Sequence, residues 1–145
     1  MTLKKEKSSN EYDWIFPVII RFMGNNKCCV KYPDFPDYPE YFLENYDENL
    51  IKGRLINIIY SKFNNLNKVP KPKDIKIDDI LNKNSMIKFI GINKKEIHDQ
   101  FDNNRVEIKV EIPFYLNEIF IKEKDMDLDL NKIMIIGLLR KLNLL

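Results

Sequence analysis

The chain has 145 residues, of which 44% are apolar, and a formal net charge of +2. This length and apolar content indicate one folded domain with a small appendage and exclude wholesale disorder. The nearly neutral charge does not by itself indicate a polyanion as partner. No apolar run approaches the roughly 18 residues that a membrane helix needs, and the lysine-rich start lacks the apolar stretch of a signal peptide. We therefore expect a cytoplasmic protein without membrane contact.

Three strands are predicted close together near the start of the chain. The first covers residues 14–23 and runs into the hairpin-turn sequence Gly24-Asn25-Asn26; the second covers residues 27–32. Three prolines between residues 33 and 39 exclude regular structure there, because proline lacks an N–H and restricts φ. A short third strand follows at residues 41–43. Three strands in succession are typical of an antiparallel meander.

A helix is predicted next, with Asp47 as its cap. Its apolar residues recur at three- and four-residue steps, which gives one stripe that we expect to lie on the sheet: Ile51, Leu55, Ile58, Ile59, Phe63 and Leu66. The segment Val69-Pro70-Lys71-Pro72-Lys73 ends this helix.

The middle of the chain completes the predicted first domain. Residues 74–81 indicate a short turn of helix, and residues 86–92 read as a further strand. The polar residues 93–104 are predicted to form a linker. The fold class is therefore α+β, with a three- or four-stranded, mostly antiparallel sheet packed on one helix over residues 12–92.

The segment after this linker carries the clearest functional signal. Val106, Ile108, Val110 and Ile112 alternate with charged residues, a period of two that predicts a strand with one apolar face, and Pro113 ends it. Two amphipathic stretches follow and predict two helices. A lone strand cannot pair its own backbone groups, so it needs the same strand from a second copy.

Such a strand-helix-helix arm has the plan of a ribbon-helix-helix protein, whose two-stranded ribbon can enter the major groove of DNA. We predict that residues 105–145 form a homodimer, with association into a higher oligomer left open. The predicted DNA contacts are the outward side chains of the ribbon, Arg105, Glu107, Lys109 and Glu111. Residues 105–145 contain seven basic and seven acidic residues. Since phosphate neutralisation supplies much of DNA affinity, we expect weak, salt-dependent binding to operator DNA.

Residues able to support catalysis or hold a metal are sparse. Cys28 and Cys29 are adjacent and point to opposite faces of a strand, which makes a bond between them strained and a zinc site implausible. His98 is the only histidine. Asp34 and Asp37 could bind magnesium in a nuclease, but that chemistry needs further ligands at fixed positions. We favour a role for them in satisfying turn backbone, and we expect no enzyme, no metal and no cofactor.

The order of these elements resembles a known family. The strand Phe16-Pro17-Val18-Ile19-Ile20, the Gly-Asn-Asn turn, the loop Tyr32-Pro33-Asp34-Phe35-Pro36, the helix and the exit Val69-Pro70-Lys71-Pro72 resemble the N-terminal domain of HicB-type antitoxins. The resemblance covers roughly residues 14–145. Asp37-Tyr38-Pro39 stands where the family usually has a glycine and a small polar turn, and residues 127–131 lack the glycine usual between the helices of the arm.

The resemblance implies a type II antitoxin with a degenerate ribonuclease-H-like domain that lacks catalysis. Its partner would be HicA, a small basic toxin that cleaves messenger RNA, and its arm would repress the shared operon. On grounds of charge and composition, the predicted toxin interface is the acidic and aromatic set Asp34, Phe35, Asp37, Tyr38 and Tyr41. The alternatives are a ribbon-helix-helix transcriptional regulator with an accessory domain and no toxin, and a nuclease that uses Asp34 and Asp37.

Overall fold

The computed structural model describes residues 11–74, 84–122 and 129–145. In chain order its elements are β1 (Trp14–Phe22), β2 (Cys28–Lys31), β3 (Tyr41–Leu43), α1 (Glu48–Lys62), a 3-10 turn (Leu66–Lys68), β4 (Ser85–Ile92), α2 (Lys94–Phe101), α3 (Phe114–Lys122) and α4 (Leu130–Lys141). The predicted α+β class and the antiparallel sheet are confirmed. The helical turn predicted at 74–81 lies, beyond residue 74, outside the described residues.

The four strands form one sheet in the order β3-β2-β1-β4, and every neighbouring pair is antiparallel. The β1–β2 hairpin turns through Gly24, Asn25 and Asn26, which have φ values of 91°, 53° and 63°. Glycine and asparagine adopt this left-handed region most readily, which is why the predicted turn forms here. Pro17 fits in β1 because the pairing with β2 begins only at Ile19, so no second ladder needs its missing N–H.

The core lies between one face of the sheet and α1. Alternate residues of β1 are buried on that face: Trp14, Phe16, Val18 and Ile20. The predicted stripe of α1 packs against them, with Ile51, Leu55, Ile58 and Ile59 all fully buried. Asp47 is the N-cap as predicted, since its carboxylate accepts hydrogen bonds from the backbone N–H groups of Asn49 and Leu50 at 2.9 and 3.3 Å. The helix ends at Lys62, so Leu66 falls in the 3-10 turn and not in the helix as predicted.

The linker predicted over residues 93–104 is wrong, because Lys94–Phe101 forms α2. The Asn93 side chain accepts from the backbone N–H of Glu96, and the Glu96 carboxylate accepts from the backbone N–H of Asn93. This capping box was readable in the sequence and outweighs the polar composition. Ile97 is 2% exposed in the core, and Lys52 pairs with Glu96 at 2.6 Å to join α1 and α2.

The arm, which we define as residues 105–145, contains α3 and α4. Residues 105–113 form neither helix nor strand in the single chain, so the predicted ribbon strand is not formed within one copy. Helix α4 lies near α1, and Leu145 packs against the core. None of the helices in the described part of the chain is long and apolar enough to cross a membrane.

Candidate interaction surfaces

The arm exposes a long series of apolar side chains. In the extended segment, Val106 is 83% exposed, Ile108 74%, Val110 52% and Ile112 44%. Helix α3 continues the series, with Phe114, Tyr115, Leu116, Ile119 and Ile121 all exposed. Its Phe120 is half-buried, and none of its residues is buried. Exposed apolar side chains in this number are unusual on a soluble monomer and make the arm a candidate interaction surface.

A groove of about 740 Å³ lies beneath the extended segment. Its walls are residues 105–108 and Val110, the end of α2, and one side of α4. The apolar lining comes from Phe101, Val106, Ile108, Val110, Met134, Ile135 and Leu138, and the rim is polar. The groove therefore continues the exposed apolar surface of the arm onto α4.

The start of the arm is attached to the end of α2. The rings of Tyr60 and Phe101 stack with centroids 3.8 Å apart. The Arg105 guanidinium donates to the Phe101 carbonyl oxygen and to the Asp102 carboxylate, each at 2.9 Å. Arg105, predicted to contact DNA, thus has intramolecular partners at the C-terminal end of a helix, where a cation is favourable. The other three predicted DNA contacts, Glu107, Lys109 and Glu111, are exposed.

Asp102 is the charged centre of this attachment. Its carboxylate also lies 2.7 Å from Nδ1 of His98. Hydrogen bonding from His98 and then from Arg105 lowers the pKa of Asp102 below its ordinary value, against the raising effect of burial. His98 therefore has an acidic partner at the end of its own helix.

The end of the chain is held on α1 by polar contacts. The Asn57 side chain, 6% exposed, donates to the Leu144 carbonyl at 2.8 Å and accepts from the Gln100 amide at 2.8 Å. Arg54 donates to the Asn143 carbonyl at 2.9 Å. These contacts join the last residues of the arm to the first helix of the chain, across the predicted domain division.

Lys132 makes a second junction between α4 and α1. Its Nζ donates to the Phe63 carbonyl at 3.1 Å and to the Asn64 side chain at 3.0 Å, and it lies 4.9 Å from the Tyr60 ring centroid. Burial lowers the pKa of Lys132 from its ordinary value. The Phe63 carbonyl lies just beyond the last turn of α1, so the cation also complements the negative end of that helix.

The predicted toxin-interface loop, residues 33–40, is partly a core element. Phe35 is 1% exposed and packs on Phe16 with ring centroids 5.4 Å apart, so its side chain is not on a surface. The Asp34 carboxylate accepts from the backbone N–H of Lys73 at 2.7 Å. The Pro-Asp-Phe-Pro loop and the Pro-Lys-Pro exit, about 35 residues apart in sequence, are therefore joined directly. This bond fits the expectation that Asp34 satisfies backbone.

The aromatic residues of this region are also engaged within the chain. The Tyr32 hydroxyl donates to the Ile51 carbonyl at 2.7 Å, and because it has one proton it must accept from Tyr41, whose oxygen is 2.7 Å away. Burial is the main cause that raises the pKa of Tyr41 to about 12, and its ring lies 4.1 Å from the Arg54 guanidinium. The Tyr38 hydroxyl bonds to Ser61 at 2.9 Å.

Asp37 is the most accessible of the predicted loop contacts. Its carboxylate pairs with Lys62 at 2.9 Å, and its side chain is 76% exposed. An ion pair this exposed contributes little to stability, so its carboxylate remains available to a partner. Of the five predicted interface residues, Asp37 is exposed, Asp34, Tyr38 and Tyr41 are half-buried, and Phe35 is buried.

In the part of the chain that the structure describes, neither the cysteines nor the acidic residues form a metal-binding cluster. Cys28 is fully buried on the core side of β2 and Cys29 is 8% exposed; both are free thiols. Burial raises the pKa of the Cys28 thiol, which disfavours its thiolate. Within residues 11–74, 84–122 and 129–145, no three His, Cys, Asp or Glu side chains are grouped closely enough to hold a metal ion.

Comparison with known proteins adds one structural likeness. No family model matches the chain, and no curated protein matches it. Among solved structures, the chain is similar to the crystal structure of the Burkholderia pseudomallei antitoxin HicB, with 16% identity and a TM-score of 0.42 over 90% of this chain and 97% of that one. The neighbour belongs to the family that the sequence motifs resemble.

Proposed function

We propose that this protein is the antitoxin of a toxin–antitoxin pair. It would act as a dimer joined through the arm and would neutralise a small basic HicA-like toxin by covering the toxin's RNA-binding surface. Neutralisation by occupancy needs no catalysis, so inhibition should follow the molar ratio of the two proteins and not time. The N-terminal part of the chain, residues 12–92 with the helix α2 that packs on it, would bind the toxin.

The observation that carries the proposal is the exposed apolar arm. Val106, Ile108, Val110 and Ile112 are between 44% and 83% exposed in the single chain, and their backbone groups lie in a segment that forms no strand among the described residues. Pairing with the same segment of a second copy would satisfy those groups and bury the side chains on α3 and α4. Exposed apolar side chains on a segment without strand pairing favour association with a second copy of the chain.

The ordered motifs supply the second support. The loop at 32–36 and the Pro-x-Pro exit are the parts by which the sequence resembles HicB-type antitoxins, and in this chain they meet through Asp34 and Lys73. Because the loop and the exit contact each other, a sequence that has one of these motifs is expected to have the other. The presence of both motifs in this chain therefore has a structural basis.

The test is direct binding to the small protein encoded beside this chain. The purified chain should bind it in a pull-down and in calorimetry at a fixed molar ratio, and should block its RNA cleavage fully once that ratio is reached. Failure of the intact chain to bind that neighbour would overturn the proposal. RNA loss over time with this chain alone would favour the nuclease alternative instead.

Weak repression of the operon is the second part of the proposal. The ribbon would present Lys109 to DNA between Glu107 and Glu111. Because Arg105 is paired with Asp102, little positive charge would face the major groove of the DNA. The regulator alternative requires strong binding to promoter DNA without any protein partner. A gel-shift titration at physiological salt separates the two.

A further inference from the structure

Arg105 is the first of the outward side chains that the paired ribbon would present to DNA. Side chains of a strand alternate between its two faces, so residues 105, 107, 109 and 111 share the face opposite the apolar residues. Their charges are two positive, Arg105 and Lys109, and two negative, Glu107 and Glu111. The positive charge that this face offers to phosphates therefore depends on whether the Arg105 guanidinium is free.

In the single chain, Arg105 is bound to the C-terminal end of α2. Its Nε donates to the Phe101 carbonyl oxygen and a terminal guanidinium nitrogen donates to Asp102 Oδ1, each at 2.9 Å. Because the two bonds come from different nitrogens, they fix the plane of the guanidinium as well as its position. The C-terminal end of a helix carries partial negative charge, which also favours a cation at this place.

The Asp102 carboxylate is itself held in position. Its second oxygen, Oδ2, lies 2.7 Å from Nδ1 of His98, and its backbone N–H donates to the His98 carbonyl at 2.8 Å as the cap of α2. The carboxylate is ionised at neutral pH, because hydrogen bonding from His98 and then from Arg105 lowers its pKa. The Asp102 and Arg105 side chains are 43% and 51% exposed, so the pair between them can open and close.

We propose that the Asp102 carboxylate competes with DNA phosphate for Arg105 and so limits the affinity of the ribbon for DNA. A guanidinium binds carboxylate and phosphate by the same charge-assisted hydrogen bonds, so the N–H groups occupied by Asp102 and by the Phe101 carbonyl are not available to a phosphate. This inference rests on the second part of the proposed function, weak binding to operator DNA. It assigns part of that weakness to Asp102, outside the ribbon, in addition to the two ribbon glutamates.

The experiment measures binding of the full chain to a fluorescein-labelled duplex of its own promoter by anisotropy, starting in low salt. Asp102→Asn should tighten binding about tenfold, because an exposed ion pair is worth about threefold and a dimer has two of them. The affinity should also fall more steeply with salt than in wild type, since each released Arg105 contacts one more phosphate.

Asp99→Asn is the matched control. It removes the same charge from the same helix, but the Asp99 carboxylate accepts from the Asn103 side chain and not from Arg105. Its affinity for the duplex should differ from wild type less than twofold. Asp102→Ser replaces Asp102→Asn should that variant fail to fold, and the same gain is expected from it.

A double-mutant cycle separates the release of Arg105 from a simple loss of repulsion. Arg105→Gln should cost at least threefold more affinity in the Asp102→Asn background than in wild type. An equal cost in both backgrounds would overturn the inference, because Asp102 would then act on the DNA directly. A changed oligomeric state of Asp102→Asn in light scattering would also overturn it, since the contact would then position the arm for association.

The same titrations distinguish this inference from the proposed function. If wild type binds the duplex and Asp102→Asn binds it no more tightly, only the inference fails. If wild type does not bind even in low salt, the repression part of the proposed function fails. Binding by Asp102→Asn alone would in that case still support the inference, and no binding by either protein would overturn it as well.

Discussion

Replacing Ile108 by serine should weaken the dimer without disturbing the single chain. Ile108 is 74% exposed in one copy. Burying an isoleucine fully contributes about 1.5–3 kcal/mol relative to leaving it in water, so covering the exposed three quarters would contribute about 1–2 kcal/mol. A symmetric dimer buries the residue twice, which gives about 2–4 kcal/mol. The dissociation constant should therefore rise roughly 30- to 700-fold.

Sedimentation equilibrium over a range of protein concentrations measures this change directly. Lys109→Ser is the control, because the neighbouring side chain points to the other side of the segment and a surface change there should shift the constant about fivefold or less. Far-UV circular dichroism should be the same for both variants and wild type. A dimer as tight in Ile108→Ser as in wild type would refute the assignment of this segment to the dimer interface.

Three other predictions concern the attachment of the arm and its charge. Asn57→Ala should lower the free energy of unfolding by about 1–3 kcal/mol, because two hydrogen bonds of a buried amide are lost; Asn49→Ala, exposed on the same helix, should not lower it in urea titrations. Replacing Glu107 and Glu111 by glutamine should tighten binding to promoter DNA in fluorescence anisotropy, whereas nanomolar binding by wild type at physiological salt would contradict the reasoning. Asp102 should titrate below the ordinary aspartate pKa by carbon NMR; its contribution to stability is therefore complete above the ordinary value and is lost as the pH falls through the lower, folded pKa.

The local elements of this protein were determined by the sequence. The Gly-Asn-Asn turn, the Asp47 cap and the two-residue alternation of β1 depend on neighbours only a few positions apart, and the structure has them where they were predicted. The same local rules, applied more fully, would have found α2, since its capping box spans only residues 93–96. Polar composition was the wrong guide there, because a helix needs only one buried side chain, here Ile97, to belong to the core.

Contacts between distant residues were decided only by the tertiary structure. From the sequence, Phe35 was predicted to be a surface aromatic in a proline-rich loop, but in the structure it packs against Phe16. The Asp34 carboxylate accepts a hydrogen bond from Lys73, which lies 39 positions later in the sequence. Which face of β1 is buried depends on which side of the strand the helix α1 covers. Alternation in the sequence distinguishes two faces of a strand, but where both carry apolar residues only packing determines which is buried.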